Sequence, residues 1–69
     1  MTYEINFNVA MKINNFVSKY VAGSTKIYLI RALHYYYATS DMSIFDTLKN
    51  RPDSLYDILD YVDKLRECD

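Results

Sequence analysis

The fold of this 69-residue chain depends on the stretch Ile27-Tyr28-Leu29-Ile30-Arg31-Ala32-Leu33-His34-Tyr35-Tyr36-Tyr37. Nine of these eleven residues are apolar or aromatic, and the stretch lies shortly after the only glycine, Gly23. A helix that is apolar on nearly every side lies either at the centre of a core or under a binding partner. The stretch therefore predicts a central helix, over about residues 25–39, around which the other helices pack.

This central helix has two sides of different composition when its residues are placed at 100° intervals. One side predicts the core face, formed by Leu29, Ile30, Leu33, Tyr36 and Tyr37. The other side carries Tyr28 and Tyr35, with Arg31 between them. Because tyrosine and arginine are enriched among the residues that dominate binding energy at interfaces, we expect Tyr28, Arg31 and Tyr35 to bind a partner. The alternative is that the first helix or the N-terminal arm covers this side within the monomer.

The N-terminal third of the chain predicts one helix preceded by a short arm. Its apolar residues recur at helical spacing: Val9, Ile13, Phe16, Val17 and Tyr20. This pattern predicts a helix over residues 8–21. Asn8 is a candidate N-cap, and Gly23 is placed to adopt the left-handed conformation that ends a helix. In residues 1–7, apolar and polar side chains begin to alternate, which is a strand signal, so these residues form either an extended arm or an early start of the helix.

Two further helices are predicted on either side of Pro52. Ser43 begins a short helix over residues 43–50, and Ser54 is the expected N-cap of the last helix, over residues 54–67. Pro52 disfavours helical geometry at the preceding residue and separates the two helices. Their buried stripes are predicted to be Ile44, Phe45 and Leu48 in the first, and Leu55, Ile58, Leu59, Val62 and Leu65 in the second.

These four segments predict an all-α protein, with a single small helical domain over residues 1–69 folded as a bundle of three to four helices. The part from about residue 25 to 67 has the proportions of a tri-helical helix-turn-helix unit. The last helix of such a unit enters the major groove of DNA, but here its exposed carboxylates would be repelled by phosphates. If the chain binds DNA, the expected contacts are Lys12, Lys19, Lys26, Lys49 and Arg51.

The exposed side of the last helix is acidic. Its carboxylates recur at three- and four-residue spacing: Asp53, Asp57, Asp60, Asp63 and Glu67. Residues 53–69 carry six acidic against two basic side chains, whereas residues 1–52 carry three acidic against six basic ones. The acidic side is either a solvated surface or a surface that docks on a basic partner, including mimicry of a nucleic-acid backbone. In the second interpretation, Asp57, Asp60 and Asp63 bind the partner.

The sequence lacks the residue combinations of the common catalytic and metal sites. One histidine, His34, and one cysteine, Cys68, do not complete a zinc site within a single chain, and one glycine does not build a phosphate-binding loop. We therefore expect no enzymatic activity, no cofactor and no metal, and a semi-buried structural role for His34. The unpaired cysteine, the lack of a signal-peptide pattern and the lack of a long apolar run favour a cytoplasmic protein that does not enter a membrane.

Together these observations predict a small non-enzymatic protein that binds another protein, from a host or as a second copy of itself, as a regulator or inhibitor. A domain of this size buries little apolar surface, so self-association into a homodimer is expected. The richness in Tyr, Ile, Lys, Asn and Asp resembles that of small proteins encoded by AT-rich phage and mobile elements. The alternative is a helix-turn-helix-like DNA-binding transcription regulator, with nucleic acid the less expected partner.

Overall fold

The structure is a computed structural model that describes residues 4–47 and 52–68, apart from the side chains of Thr47 and Cys68. It contains α1 (Phe7–Val17), α2 (Gly23–Thr39), a 3₁₀ helix (Ser43–Thr47) and α3 (Leu55–Cys68). None of the described residues lies in a strand. The prediction of an all-α bundle of three to four helices is confirmed, with three α-helices and one 3₁₀ helix.

One hydrophobic core lies between the helices, with α2 at its centre. α2 packs against α1, α3 and the 3₁₀ helix, and α1 also packs against α3. The buried residues are Val9, Ile13, Val17, Leu29, Ala32, Leu33, Tyr36, Phe45, Leu55, Ile58, Leu59 and Val62. Ile30 and Tyr37 are partly buried against this cluster, so the predicted core face of α2 is confirmed. Burying one such aliphatic side chain contributes about 1.5–3 kcal/mol, which makes this core the main source of stability.

The first helix is shorter at its C-terminus than the sequence predicts. α1 ends at Val17, and the hydroxyl of Ser18 donates to the Asn14 carbonyl at 2.8 Å. The next two backbone N–H groups, of residues 19 and 20, donate to carbonyls three residues back at 3.2 and 3.0 Å. Serine hydroxyls that bond to the backbone compete with the helical pattern, and bonds to the third residue back tighten the final turn. The predicted boundary at residue 21 is therefore wrong.

Two residues near the ends of α1 have roles that differ from the predicted ones. Asn6 is the N-cap of α1, since its side-chain oxygen accepts the N–H of Asn8 at 2.8 Å. Asn8 is therefore inside the helix, and its prediction as the N-cap is wrong. Gly23 has the predicted left-handed conformation, with φ of +71°. However, it is the first residue of α2, after Ala22 at the N-cap position, and it does not end α1.

Polar side chains end α2 and begin the 3₁₀ helix. Ser40 adopts a left-handed conformation with φ of +64°, and its N–H donates to the Tyr36 carbonyl at 2.7 Å. Asp41 Oδ1 accepts hydrogen bonds from the backbone N–H and the hydroxyl of Ser43, at 2.9 and 2.6 Å. These bonds favour the charged carboxylate and lower the pKa of Asp41, the hydroxyl of Ser43 having the largest effect.

The third predicted helix begins at the expected residue but has a different geometry. Residues 43–47 form a 3₁₀ helix, and the rest of the predicted span, including Leu48, lies outside the described residues. Phe45 is buried as predicted, with its ring centroid 5.7 Å from that of Tyr36. α3 begins directly after Ser54, whose carbonyl accepts the Ile58 N–H at 3.0 Å, so the predicted start of the last helix is confirmed.

The capping role of Asn6 is testable by substitution. Asn6→Ala is expected to lower the free energy of unfolding by about 1 kcal/mol, because the N–H of Asn8 loses its side-chain acceptor. Asn15→Ala, at an exposed position inside the same helix, is the matched control and should change stability by less than about 0.5 kcal/mol. Urea denaturation followed by circular dichroism measures both. Equal stability of the two variants would contradict the cap.

Candidate protein-binding surface

The outward side of α2 carries an apolar and aromatic surface. Tyr28 is 62% exposed, Ile27 is 54% exposed, and Arg31 is also exposed. The three side chains lie within about 100° of one another around the helix. We call this surface, formed by Ile27, Tyr28 and Arg31, the α2 outer face. It contains two of the three residues of α2 that the sequence predicts to bind a partner.

Tyr35, the third predicted residue, has a more restricted position. It is half-buried, and its hydroxyl donates to Asp41 Oδ2 over a long distance of 3.5 Å. The ring therefore lies at the edge of the α2 outer face and is directed towards the turn that follows α2. A role of Tyr35 in partner binding stays a prediction, and the better exposed Tyr28 is the stronger candidate.

Helix α1 covers a different side of α2. His34 Nε2 lies 2.9 Å from Asn14 Oδ1 of α1, and this contact is partly buried. His34 lies about 120° around the helix from Tyr28. Among the described residues, α1 therefore occupies the His34 side, and the exposure of Tyr28 shows that neither α1 nor residues 4–6 cover it. The rest of the N-terminal arm lies outside the described residues.

The environment of His34 matches the semi-buried role expected from the sequence. Burial between α1 and α2 lowers the pKa of the imidazole, and the backbone of Ala10 partly opposes this effect. Desolvation disfavours the charged form of a base, which is the physical cause of the lowering. At neutral pH the ring is therefore uncharged and forms part of the contact between the two helices.

Helix α3 covers the opposite flank of α2. The hydroxyl of Tyr36 donates to Asp63 Oδ1 at 2.7 Å, and this carboxylate also lies 3.7 Å from Arg66. The hydrogen bond to Asp63, followed by burial, raises the pKa of Tyr36. Tyr36 lies about 80° around the helix from Tyr28, on the side away from His34. The α2 outer face is therefore the sector that remains between the two flanks covered by α1 and α3.

Arg66 makes a contact that was not predicted from the sequence. Its guanidinium donates to the hydroxyl of Ser40 at the end of α2 and lies 5.7 Å from the ring centroid of Tyr36. A cation at this distance from a tyrosine ring is attracted to it. Arg66 therefore joins the C-terminal ends of α2 and α3. No sequence pattern indicated this contact, because the partners are 26 residues apart.

The acidic side of α3 divides into two parts. Asp57 and Asp60 are exposed, whereas Asp63 is half-buried and engaged with α2. The structure therefore places only the first two of the three predicted acidic residues where a partner has free access to them. Tyr56 lies beside them and is 71% exposed, which makes it the most exposed tyrosine among the described residues. Tyr56 is not among the residues that the sequence predicts to bind a partner.

The basic residues predicted for DNA contact lie on different elements. Lys12 is exposed on α1, Lys19 is exposed in the turn that follows α1, and Lys26 is half-buried on α2. Lys19 lies 5.8 Å from the ring centroid of Phe16, and this ring also stacks in parallel on Tyr61 at 4.0 Å and lies 5.2 Å from Tyr20. Lys49 and Arg51 lie outside the described residues.

The surface formed by residues 4–47 and 52–68 includes a depression beside the C-terminal part of α3. This shallow open depression of about 390 Å³ is lined by Asp63, Arg66 and Glu67, side chains that already interact with one another or with solvent. The described part of the chain contains no group of three histidine, cysteine or carboxylate side chains placed to hold a metal ion. No helix within it is long and apolar enough to cross a membrane.

Comparison with known protein families, with characterised proteins and with solved structures gives no match to this chain.

The pKa of His34 predicts how stability changes with pH. The unfolded histidine binds a proton near its ordinary pKa of 6.5, whereas the folded one binds it only at lower pH. The unfolded state then binds more protons, so the free energy of unfolding should decrease as the pH is lowered from about 7.5 through 6.5 towards the folded pKa. His34→Gln should flatten this dependence, because the chain has no other histidine. Urea denaturation at several pH values measures it, and an unchanged slope in the variant would contradict the assignment.

The bond between Tyr36 and Asp63 predicts a stability loss in a second variant. Tyr36→Phe removes the hydroxyl and should lower the free energy of unfolding by about 1 kcal/mol, the usual net contribution of such a bond. Tyr56→Phe is the matched control on α3 and should leave stability unchanged, because that hydroxyl faces solvent. Chemical denaturation compares the two, and a fully stable Tyr36→Phe protein would show that the bond contributes nothing.

Proposed function

We propose that this protein acts by binding another protein through the α2 outer face, as a regulator or inhibitor that performs no catalysis. The observation that carries the proposal is the exposure of Tyr28, at 62%, beside the exposed Arg31. Both residues lie on the helix that forms the centre of the core. A surface on this helix is held rigidly, so a partner binds it without first ordering a loop.

The composition of the α2 outer face supports a binding role. A tyrosine ring offers a large contact area with few rotatable bonds, and an arginine offers several hydrogen-bond donors and a planar group that stacks on rings. Truncating residues of this type at an interface centre commonly costs about 2 kcal/mol or more of binding free energy. Ile27, 54% exposed, adds aliphatic area beside them.

DNA binding by a helix-turn-helix unit is the alternative proposal, and no described observation favours it. Asp57 and Asp60 are exposed on the helix that would have to enter the major groove. Carboxylates at such positions are repelled by the phosphates that supply most of the affinity in protein–DNA complexes. The exposed Lys12 lies on α1 instead, and the exposed Lys19 lies in the turn after it. We therefore place the partner among proteins, in the cytoplasm, where the unpaired Cys68 remains reduced.

The proposal is tested with Tyr28→Ala and Arg31→Ala. Two measurements compare the wild-type chain with the variants. The first is the capture of proteins from an extract of the native host by the immobilised chain. The second is self-association of the purified chain. Each substitution should weaken whichever association is found by about tenfold or more, because it removes a side chain from the interface centre. Met42→Ala, an exposed apolar position outside α2, is the control and should bind like the wild type.

Circular dichroism decides whether a loss of binding reflects the surface itself. Tyr28→Ala should keep the wild-type helix content, because its side chain contributes little to the core. If this variant unfolds, the ring stabilises the monomer and the proposal fails. Full binding by both folded variants would also overturn it.

A further inference from the structure

The exposed charges of this molecule are distributed unevenly between its helices. Among the described exposed residues, α1 and α2 present Lys12 and Arg31 and no acidic side chain, whereas α3 presents Asp57, Asp60 and Glu67 together with Lys64 and Arg66. The one carboxylate of α3 that interacts with α2 is Asp63, through the hydroxyl of Tyr36. The other three, Asp57, Asp60 and Glu67, are exposed to solvent. One molecule therefore displays surfaces of both signs.

Each of these surfaces also has an exposed aromatic ring. On α2, Tyr28 lies three residues before Arg31, so the ring and the cation are neighbours on the helix surface. On α3, Tyr56 lies four residues before Asp60, so a ring and a carboxylate are neighbours in the same way. We call the surface formed by Tyr56, Asp57 and Asp60 the α3 acidic face. The exposed Lys64 lies between Asp57 and Asp60 around α3, so this face carries two carboxylates against one cation, and its net charge is opposite to that of the α2 outer face.

We propose that the partner of the α2 outer face is the α3 acidic face of a second copy of this chain. This inference rests on the function proposed above and names the partner. In the complex, Arg31 of one copy meets Asp57 and Asp60 of the other, and the rings of Tyr28 and Tyr56 are removed from water. The contact joins two different surfaces, so each pair of copies can form it twice. When both contacts form, no face is left free and the assembly is a closed dimer. When only one forms, one α2 outer face and one α3 acidic face remain free for further copies.

A second copy fits better than an unrelated protein because the complementary surface is already present on the chain. Both faces lie on helices whose opposite sides are held in the core by Leu29, Leu33, Ile58 and Val62. Association therefore joins two rigid surfaces and needs no refolding. Aromatic anchors surrounded by opposite charges also give specificity, since a like-charged surface is repelled. A chain of 69 residues gains apolar burial from such a contact that its own small core does not provide.

Exchange of the charges tests this inference. Arg31→Glu places a carboxylate opposite Asp57 and Asp60, and the double variant Asp57→Lys, Asp60→Lys places cations opposite Arg31. Each variant alone should self-associate at least about tenfold more weakly than the wild type, because like charges then face each other. A mixture of the two should associate again, because every contact between them joins opposite charges. Sedimentation velocity over a range of concentrations measures all three samples.

A matched control and a salt series complete the experiment. Lys12→Glu changes an exposed charge on α1 outside both faces and should associate like the wild type. Raising the salt from about 0.05 to 0.5 M should weaken the wild-type association, because salt screens exposed charges. Circular dichroism verifies that each variant folds; these positions are all exposed, so unchanged helix content is expected.

The outcomes separate this inference from the function on which it rests. A wild-type chain that stays monomeric at every concentration overturns the inference, and so does a mixture that fails to associate. In either case, the proposed function is still supported if the chain captures another protein and Tyr28→Ala weakens that capture. If Tyr28→Ala changes neither self-association nor capture, both proposals fail.

Discussion

The structure depends on the burial of one sector of α2 between its neighbours. Leu29 and Leu33 are almost completely enclosed, and they contact a core to which every described helix contributes. Because this helix is apolar on most sides, hydrophobicity alone does not select the buried sector. Aliphatic side chains lose no hydrogen bond when they are removed from water. A tyrosine hydroxyl does, so it must either form a hydrogen bond within the protein or remain exposed to water. The aliphatic sector is therefore the one that is enclosed.

The polar contacts on either side of this sector decide where the neighbouring helices lie. His34 meets Asn14 of α1 on one flank, and Tyr36 meets Asp63 of α3 on the other. Arg66 adds a second contact between α2 and α3 at their C-terminal ends. The groups in the first two contacts are at least partly buried, so leaving one of them without a partner would be unfavourable, whereas the contact of Arg66 is exposed. The bonds stabilise one arrangement of three helices whose apolar stripes would also tolerate others.

The same arrangement explains what is left on the surface. With both flanks of α2 covered, Tyr28 and Arg31 face outward, and they lie on a part of the chain held firmly by the core. On α3, the inward stripe of Leu55, Ile58 and Val62 turns the carboxylates of Asp57 and Asp60 to the opposite side. The proposed binding surfaces are thus a consequence of how the core is built. They are positioned by the same residues that stabilise the fold.

The sequence by itself determined the helical class, the approximate span of each helix and the core face of α2. These follow from a repeat of 3.6 residues per turn, which is local and can be counted along the chain. It also identified Tyr28 and Arg31 as side chains outside the core face. It did not identify the N-cap of α1 correctly, because Asn6 and Asn8 are chemically equivalent candidates for a cap until the backbone conformation is known.

Only the tertiary structure decided which outward residues are free and which are occupied. Asp57, Asp60 and Asp63 look alike in the sequence, yet Asp63 alone accepts the hydroxyl of a residue 27 positions away. His34 and Asn14 are 20 positions apart, and Arg66 and Ser40 are 26 apart. Such contacts have no local signature, because they arise only when separate helices are brought side by side by the burial of their apolar stripes.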